Sequence, residues 1–155
     1  MPKLLQHLII TVLLSVFSVA QTTEVQRSVV LLPHSEPPYQ PNLIWDKGSY
    51  ASWIPSRTEI EVLEAKLPQI SEMKIRGYES TPIRIEHPEK YFRQYIGVRH
   101  HGKRRIYVNA FRDDPPPSNW QKRFYVVMDG DLGCWHTFYD TETQTFSDLT
   151  INPRA

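Results

Sequence analysis

The chain contains 155 residues, with 18 lysines and arginines, 17 aspartates and glutamates, and one cysteine. This length favours a single domain, and a composition that is 40% hydrophobic and 23% charged is that of a globular protein. The formal net charge of +1 argues against a protein that coats nucleic acid, because such proteins carry a broad basic excess. A single cysteine excludes an intramolecular disulfide framework and a cysteine-rich zinc module.

The first twenty residues have the pattern of a secretory leader. Lys3 is followed by an apolar run from Leu8 to Phe17, and small residues up to Ala20 then form a cleavage site before Gln21. The alternative is an uncleaved membrane anchor, but the run is shorter than the ~20 residues that a bilayer span needs. We therefore expect an exported protein, periplasmic or extracellular in a bacterium, with no transmembrane segment after cleavage. Loss of Lys3 from the 18 basic residues would leave 17 basic and 17 acidic side chains.

The rest of the chain divides into an arm and a domain. Residues 21–52 are rich in proline, which restricts the backbone and removes hydrogen-bond donors. Within this arm, the apolar run Val29–Leu32 predicts either an edge strand or a segment that lies against the domain. Trp45 and Trp53 are expected to dock the arm, because burying a tryptophan is a large apolar gain. Residues 53–155 are predicted to form the single folded domain.

One helix is predicted, over residues 56–67. Ser56 and Glu59 have the Ser-x-x-Glu spacing of a capping box, and Pro68 cannot continue the helix. The apolar residues of the segment recur at helical spacing, so one face of the helix must cover other apolar surface.

Five strands are predicted after residue 90. The β-branched and aromatic content and the alternation of side chains place them at 91–98, 106–111, 124–128, 134–139 and 145–151. A further short strand is predicted at Ile83–Ile85. Strands that follow one another through short turns are typical of an antiparallel meander. The predicted fold is therefore α+β, with one N-terminal amphipathic helix packed on a four- to five-stranded antiparallel meander sheet.

The predicted domain contains a series of short motifs. They are Trp53-x-Pro55-Ser56, Ile60-x-x-Leu63-Glu64-x-x-Leu67-Pro68, Tyr91-x-Arg93-Gln94-Tyr95-x-Gly97, Ile106-Tyr107-Val108-Asn109-Ala110-Phe111, Val127-x-Asp129-Gly130, Trp135, Phe146 and Asn152-x-x-Ala155. Together they resemble a family of small exported bacterial proteins of unassigned function, over about residues 53–155. This resemblance implies export and fold but no chemistry. The order of helix and meander is also similar to PepSY-type inhibitor modules, which is an architectural likeness.

The densest charge in the sequence lies in a predicted hairpin tip. Its cations and imidazoles are Arg99, His100, His101, Lys103, Arg104 and Arg105. Such a cluster indicates a site for an anion or an acidic partner, although a solvated turn collects the same residues. Protonation of the histidines would strengthen the site below about pH 6.5.

An aromatic sheet face is the second candidate surface. If the helix covers one side of the sheet, the other side is open to a partner, and its candidate contact residues are Tyr95, Tyr107, Tyr125 and Trp135. The alternative is that residues 21–52 cover that side.

Two readings of the chemistry follow from the residues. Cys134 and His136 lie on one side of a strand and form either a reactive pair or, as the aromatic neighbours favour, part of the core.

The predicted function is an exported, non-enzymatic binding or inhibitor-like module without cofactor or metal. Its partner is another protein or an acidic envelope ligand. The alternative is a small hydrolase or metal-dependent enzyme that uses Asp129, Asp131 and His136.

Overall fold

One five-stranded sheet organises the part of the chain that the structure describes. The computed structural model describes residues 26–32, 53–100, 103–125, 127 and 130–152. In chain order the elements are β1 (Ser28–Val30), α1 (Arg57–Ala65), 3-10 helices at Leu67–Glu72 and Pro88–Lys90, β2 (Phe92–His100), β3 (Lys103–Phe111), β4 (Asp131–Asp140) and β5 (Thr145–Asn152). The predicted leader, Trp45, His101 and Asp129 lie outside the described residues.

The sheet is mixed, which corrects the predicted meander. Its strand order is β1-β2-β3-β4-β5. The pairs from β2 to β5 are antiparallel, whereas β1 runs parallel to β2. The α+β class is confirmed, but the helix is not the first element, because β1 precedes it. Parallel neighbours need a long crossover connection, and here that connection contains α1. The run Val29–Leu32 thus overlaps β1, which is an edge strand of this sheet, the first of the two predicted alternatives.

The helix begins where its capping box predicts. The Ser56 hydroxyl accepts a hydrogen bond from the Glu59 amide at 3.3 Å, and the Ser56 amide donates to the Glu59 carboxylate at 2.8 Å. The helix ends at Ala65, earlier than predicted, and Pro68 lies in the 3-10 helix that follows. Proline cannot donate to the carbonyl four residues earlier, so the α-helical ladder stops before it. No helix within the described ranges is long and apolar enough to cross a bilayer.

Trp53 docks on the sheet, as predicted. It forms an isolated antiparallel bridge with Gly97, and its indole Nε1 donates to the carbonyl of Val98 at 3.2 Å. A Cβ atom on residue 97 would collide with the carbonyl and the indole ring of Trp53. Glycine is therefore required here by the close approach of the tryptophan.

One side of the sheet, the helix face, packs against α1 and the segments that follow it. The buried residues of this core are Leu63, Leu67, Ile70, Ile75, Ile85, Tyr91, Tyr95, Ile106, Val108, Ala110, Trp135, Tyr139, Leu149 and Ile151. Ile85 is buried although the predicted strand at Ile83–Ile85 does not form. Its backbone is irregular, and the side chain alone joins the core.

The opposite side of the sheet is covered by an irregular segment, residues 113–125 and 127, which we call the covering segment. The predicted strand at 124–128 is wrong for the residues described there, because β3 pairs directly with β4. Trp120 packs edge-on against Phe92 and Phe111, with ring centroids 5.3 and 6.0 Å apart. Aromatic packing thus holds this segment against the sheet.

Side-chain amides of the sheet bind the backbone of the covering segment. Gln94 Nε2 donates to the carbonyls of Trp120 and Arg123 at 2.5 and 2.7 Å. Gln94 Oε1 accepts from the Tyr125 amide at 2.9 Å, and Asn109 Nδ2 donates to the Tyr125 carbonyl at 2.8 Å. These bonds satisfy backbone groups that a strand would pair with a neighbouring strand.

Replacing Gln94 with leucine is expected to loosen the covering segment. The change leaves two carbonyls and one amide without their partner, so we expect a loss of about 3 kcal/mol in the free energy of unfolding by urea. Trypsin is also expected to cleave after Lys122 and Arg123 faster than in the native chain. Gln69→Leu, the same change at an exposed position outside the segment, is the control. Equal stability and equal cleavage of the two variants would contradict this role of Gln94.

Candidate functional site

An open cleft separates α1 from the outer edge of β1. Its volume is about 610 Å³. The lining residues are Gln26, Ser28, Val29, Val30, Pro55, Arg57, Ile60, Glu61, Glu64 and Tyr95. Helix α1 forms one wall, β1 forms the other, and Tyr95 of β2 contributes the floor.

The helix wall follows from helical spacing. Arg57, Ile60, Glu61 and Glu64 are separated by three, four and seven positions, so they lie along one flank of α1. Leu63 is buried in the core on another side of the helix. The same helix therefore covers the sheet with one face and borders the cleft with its flank.

A buried ion pair fixes α1 to the sheet below the cleft. Arg93 of β2 is 5% exposed, and its Nη2 lies 3.1 Å from Glu64 Oε2. The Tyr95 hydroxyl donates to Glu64 Oε1 at 2.5 Å and accepts from Arg93 Nε at 3.0 Å. Burial raises the pKa of Tyr95 well above its usual range, so its hydroxyl stays a neutral donor. We call Arg93, Glu64 and Tyr95 the anchor.

Arg93 also holds the chain segment that leads into β2. Its Nη1 donates to the carbonyls of Pro88, Glu89 and Tyr91 at 3.3, 2.9 and 2.5 Å. A guanidinium has five N–H donors in a fixed plane, so one side chain serves several acceptors at once. The anchor therefore determines how far α1 stands from the sheet, and with that the width of the cleft.

The cations of the predicted basic tip lie on both faces of the sheet. Arg99 and Arg104 are register partners, and Lys103 and Arg105 alternate with Arg104 onto the opposite face. Arg104 lies 3.6 Å from Glu59 and 4.0 Å above the ring of Trp53.

Acidic neighbours also reduce the charge of the tip. Arg105 is half-buried, with Asp140 and Asp148 at 3.9 and 4.0 Å. Arg99 and Lys103 are exposed, and His100 contributes only its backbone to the described structure. The structure thus divides the predicted anion site and places carboxylates beside two of its cations.

The predicted aromatic sheet face is wrong. Tyr95 and Trp135 are buried on the helix face, and Tyr107 is buried on the opposite face against Phe138, with ring centroids 5.3 Å apart. Tyr125 lies in the covering segment, where its hydroxyl donates to Asp113 at 2.5 Å. Each face of the sheet already has its own cover, so these four residues form no common exposed surface.

The structure gives His136 an amide partner. His136 is 4% exposed, and its Nε2 hydrogen-bonds Asn152 Oδ1 at 2.9 Å. Burial lowers the pKa of His136 to about 4, which makes it a weak base. Asp131 lies in register with Asn152 at the start of β4. Among the described residues, no group of three or more histidine, cysteine, aspartate or glutamate side chains is placed to hold a metal ion.

Cys134 belongs to the core, as its neighbours predicted. It is buried beside Phe111 and Trp120 and carries a free thiol. Burial raises the pKa of Cys134 to about 12. A reactive thiolate–imidazolium pair needs a lowered thiol pKa and a protonated histidine. The pKa of Cys134 is raised and the pKa of His136 is lowered, which is the reverse of this requirement, so the pair is not activated.

The cleft and its anchor were not predicted from the sequence. A signal was present, because Arg93 alternates with Tyr91 and Tyr95 in a strand whose side chains are otherwise suited to a core. A charged side chain at a buried strand position needs a partner of opposite charge. Comparisons with protein-family models, curated proteins and solved structures gave no match to this chain. Its function is therefore inferred from the site itself.

Removing the guanidinium of the anchor is expected to destabilise the fold. Arg93→Met leaves three backbone carbonyls without their donor and Glu64 with the Tyr95 hydroxyl but no cation, so we expect a loss of about 3–5 kcal/mol in the free energy of urea unfolding. Arg57→Met is the matched control, because the Arg57 side chain is 93% exposed and pairs with Glu61 at the surface. That change should cost less than about 1 kcal/mol. Similar losses in both variants would show that the anchor does not hold α1.

The buried His136 is expected to make stability depend on pH. Its pKa is about 4 in the folded chain and 6.5 in the unfolded chain. Its contribution is therefore complete above pH 6.5 and is lost as the pH falls toward 4, because the unfolded chain takes up the proton first. Over this pH range the free energy of unfolding of the native chain should fall by about 3 kcal/mol more than that of His136→Gln.

Urea unfolding of both proteins between pH 7 and pH 4 measures this difference. His87→Gln removes an exposed histidine instead and is the control; it should keep the loss of stability that depends on His136. Parallel pH profiles for the native chain and His136→Gln would contradict the buried, neutral state of His136.

Proposed function

We propose that this protein is a non-enzymatic binding module that takes a segment of a partner protein into the cleft between α1 and β1. The observation that carries the proposal is the cleft itself, a volume of about 610 Å³ between a helix and a sheet edge that a buried ion pair holds together. Binding sites commonly have this size and combine apolar side chains with a few polar groups.

The composition of the cleft suits a peptide. Val30 and Ile60 offer apolar surface, while Ser28, Glu61 and Glu64 offer polar groups along the same walls. The walls are rigid, because α1 is fixed by Arg93 and β1 is paired with β2. A preformed site loses little conformational entropy on binding, so even a short segment gains affinity there.

Export and the class of partner belong to the same proposal. The leader pattern at residues 1–20 would deliver the module to the bacterial envelope or beyond. Another protein is the partner that the cleft supports. An acidic envelope ligand at the hairpin tip has less support, because Glu59, Asp140 and Asp148 lie close to Arg104 and Arg105.

The enzymatic alternative has less support than binding. Its histidine is buried and hydrogen-bonded to Asn152, with its pKa lowered to about 4. The neighbouring thiol, Cys134, has its pKa raised to about 12. Both shifts reduce the reactivity that a general base or a nucleophile requires near neutral pH.

The proposal is tested with peptides selected on the full chain. A displayed library of random peptides of about twelve residues serves as the probe, since no single sequence is assumed. Ile60→Gln is expected to lower the affinity for the selected peptides by about tenfold, because it removes an apolar contact worth about 1–3 kcal/mol. Ala65→Gln introduces the same residue at an exposed position of α1 outside the cleft, and it should bind as the native chain does.

Two further variants separate binding from the enzymatic alternative. Cys134→Ser and His136→Gln are expected to leave peptide affinity unchanged once each is shown to fold. Failure to select any peptide whose binding depends on Ile60 would overturn the proposed function. So would equal affinities for Ile60→Gln and Ala65→Gln.

A further inference from the structure

Alternate residues of β1 direct their backbone groups away from β2, at the outer edge of the sheet. The Arg93 amide donates to the carbonyl of Arg27 at 2.7 Å, and the Leu31 amide donates to the carbonyl of Tyr95 at 2.9 Å. Residues 27 and 31 therefore direct their backbone groups toward β2. The direction alternates along a strand, so Val29 also faces β2, whereas Ser28 and Val30 face away from it. Both of these residues line the cleft.

The chain covers part of this edge itself. Gln26 Nε2 donates to the Ser28 carbonyl at 3.1 Å, and Gln121 donates to Gln26 Oε1 at 3.3 Å. Among the described residues, β2 is the strand that pairs with β1, which leaves β1 outermost in the sheet. Val30 thus presents an outward N–H and C=O beside Ile60 on the facing wall. A row of outward backbone groups is a template for another strand.

We propose that the partner binds as an added β-strand, pairing its backbone with the Val30 amide and carbonyl and with the Ser28 amide along the outer edge of β1. This inference rests on the proposed function and specifies how the cleft is filled. The occupant is an extended segment of a partner protein. Main-chain hydrogen bonds supply affinity in this mode, and side chains at alternate positions supply specificity.

The residues that line the cleft indicate which side chains the partner segment should carry. Ser28 and Val30 direct their side chains to the helix face of the sheet, and so does every second residue of an added strand. There Val30 and Ile60 favour an apolar side chain. The charged groups of the lining are already paired, Glu61 with Arg57 at 2.7 Å and Glu64 with Arg93 at 3.1 Å. An apolar side chain flanked by uncharged polar ones therefore suits this lining.

Proline at residue 30 is the sharpest test. Val30→Pro removes the outward N–H but keeps the groups of Val29 and Leu31 that bind β2, and proline is tolerated at such positions of edge strands. We expect Val30→Pro to lower the affinity of the selected peptides by more than about tenfold. Val30→Thr keeps the N–H and nearly the same shape, so its affinity should stay within about threefold.

N-methylation of one selected peptide tests the same bonds without altering the protein. Methyl groups on alternate amides, those that face β1, are expected to abolish binding to the native chain, whereas methyl groups on the other amides are tolerated. This scan decides the proposal even if Val30→Pro does not fold.

Two results would overturn the strand mode: undiminished affinity in a folded Val30→Pro, and equal tolerance of methyl groups on both sets of amides. Displacement of the selected peptides by a synthetic peptide of residues 33–52 would overturn the partner protein as occupant, because this chain would then be its own occupant. If binding still depends on Ile60 in the first two cases, the cleft keeps its proposed function and only the strand mode fails. If no peptide depends on Ile60, both fail.

Discussion

The position of α1 depends on one buried guanidinium. Arg93 binds the Glu64 carboxylate of the helix, the Tyr95 hydroxyl of its own strand and three carbonyls of the segment before β2. A charge removed from water is costly unless its hydrogen bonds are made elsewhere, so these partners have to keep their places. The helix, the sheet and the lead-in to β2 are thereby joined at one point, and the cleft lies directly beside it. The contacts that stabilise the fold at this point therefore also place the helix wall of the cleft.

The opposite face of the sheet follows a different principle, because its polar side chains bind backbone. Gln94 and Asn109 are buried next to each other, joined by a hydrogen bond of 2.8 Å, and both hold the covering segment. Asn152 extends the pattern, since it donates to the carbonyl of Val127 and accepts from His136. These amides satisfy the backbone hydrogen bonds of an irregular segment, as a neighbouring strand satisfies those of a regular strand. They also explain why the aromatic residues of this face are buried beneath the covering segment.

Both faces of the sheet are therefore occupied, and the edge at β1 is the surface whose geometry suits a ligand. Here the flank of α1 and apolar side chains line one cleft, and the outward backbone of β1 lies beside it. The buried titratable groups, by contrast, are shifted away from reactivity, with a neutral histidine and a neutral thiol inside the core. Such groups stabilise a fold at neutral pH and catalyse little. Buried groups shifted away from reactivity and the outward backbone of β1 both support the proposed binding module over the enzymatic alternative.

The sequence by itself determined the features that depend on neighbouring residues. The capping box of α1 acts over three residues, and side-chain alternation located β2, β3, β4 and β5 to within a few positions. Alternation also brought Cys134 and His136 to one face, and the aromatic neighbours of Cys134 indicated its burial. Tertiary structure decided the parallel pairing of β1, the irregular path of residues 124 and 125, and the anchor. Gln94 reaches Arg123, and Arg93 reaches Glu64, across 29 residues in each case. Side-chain alternation shows that a strand has two faces. The segments that cover those faces are distant in sequence, so only tertiary packing decides which face each segment covers.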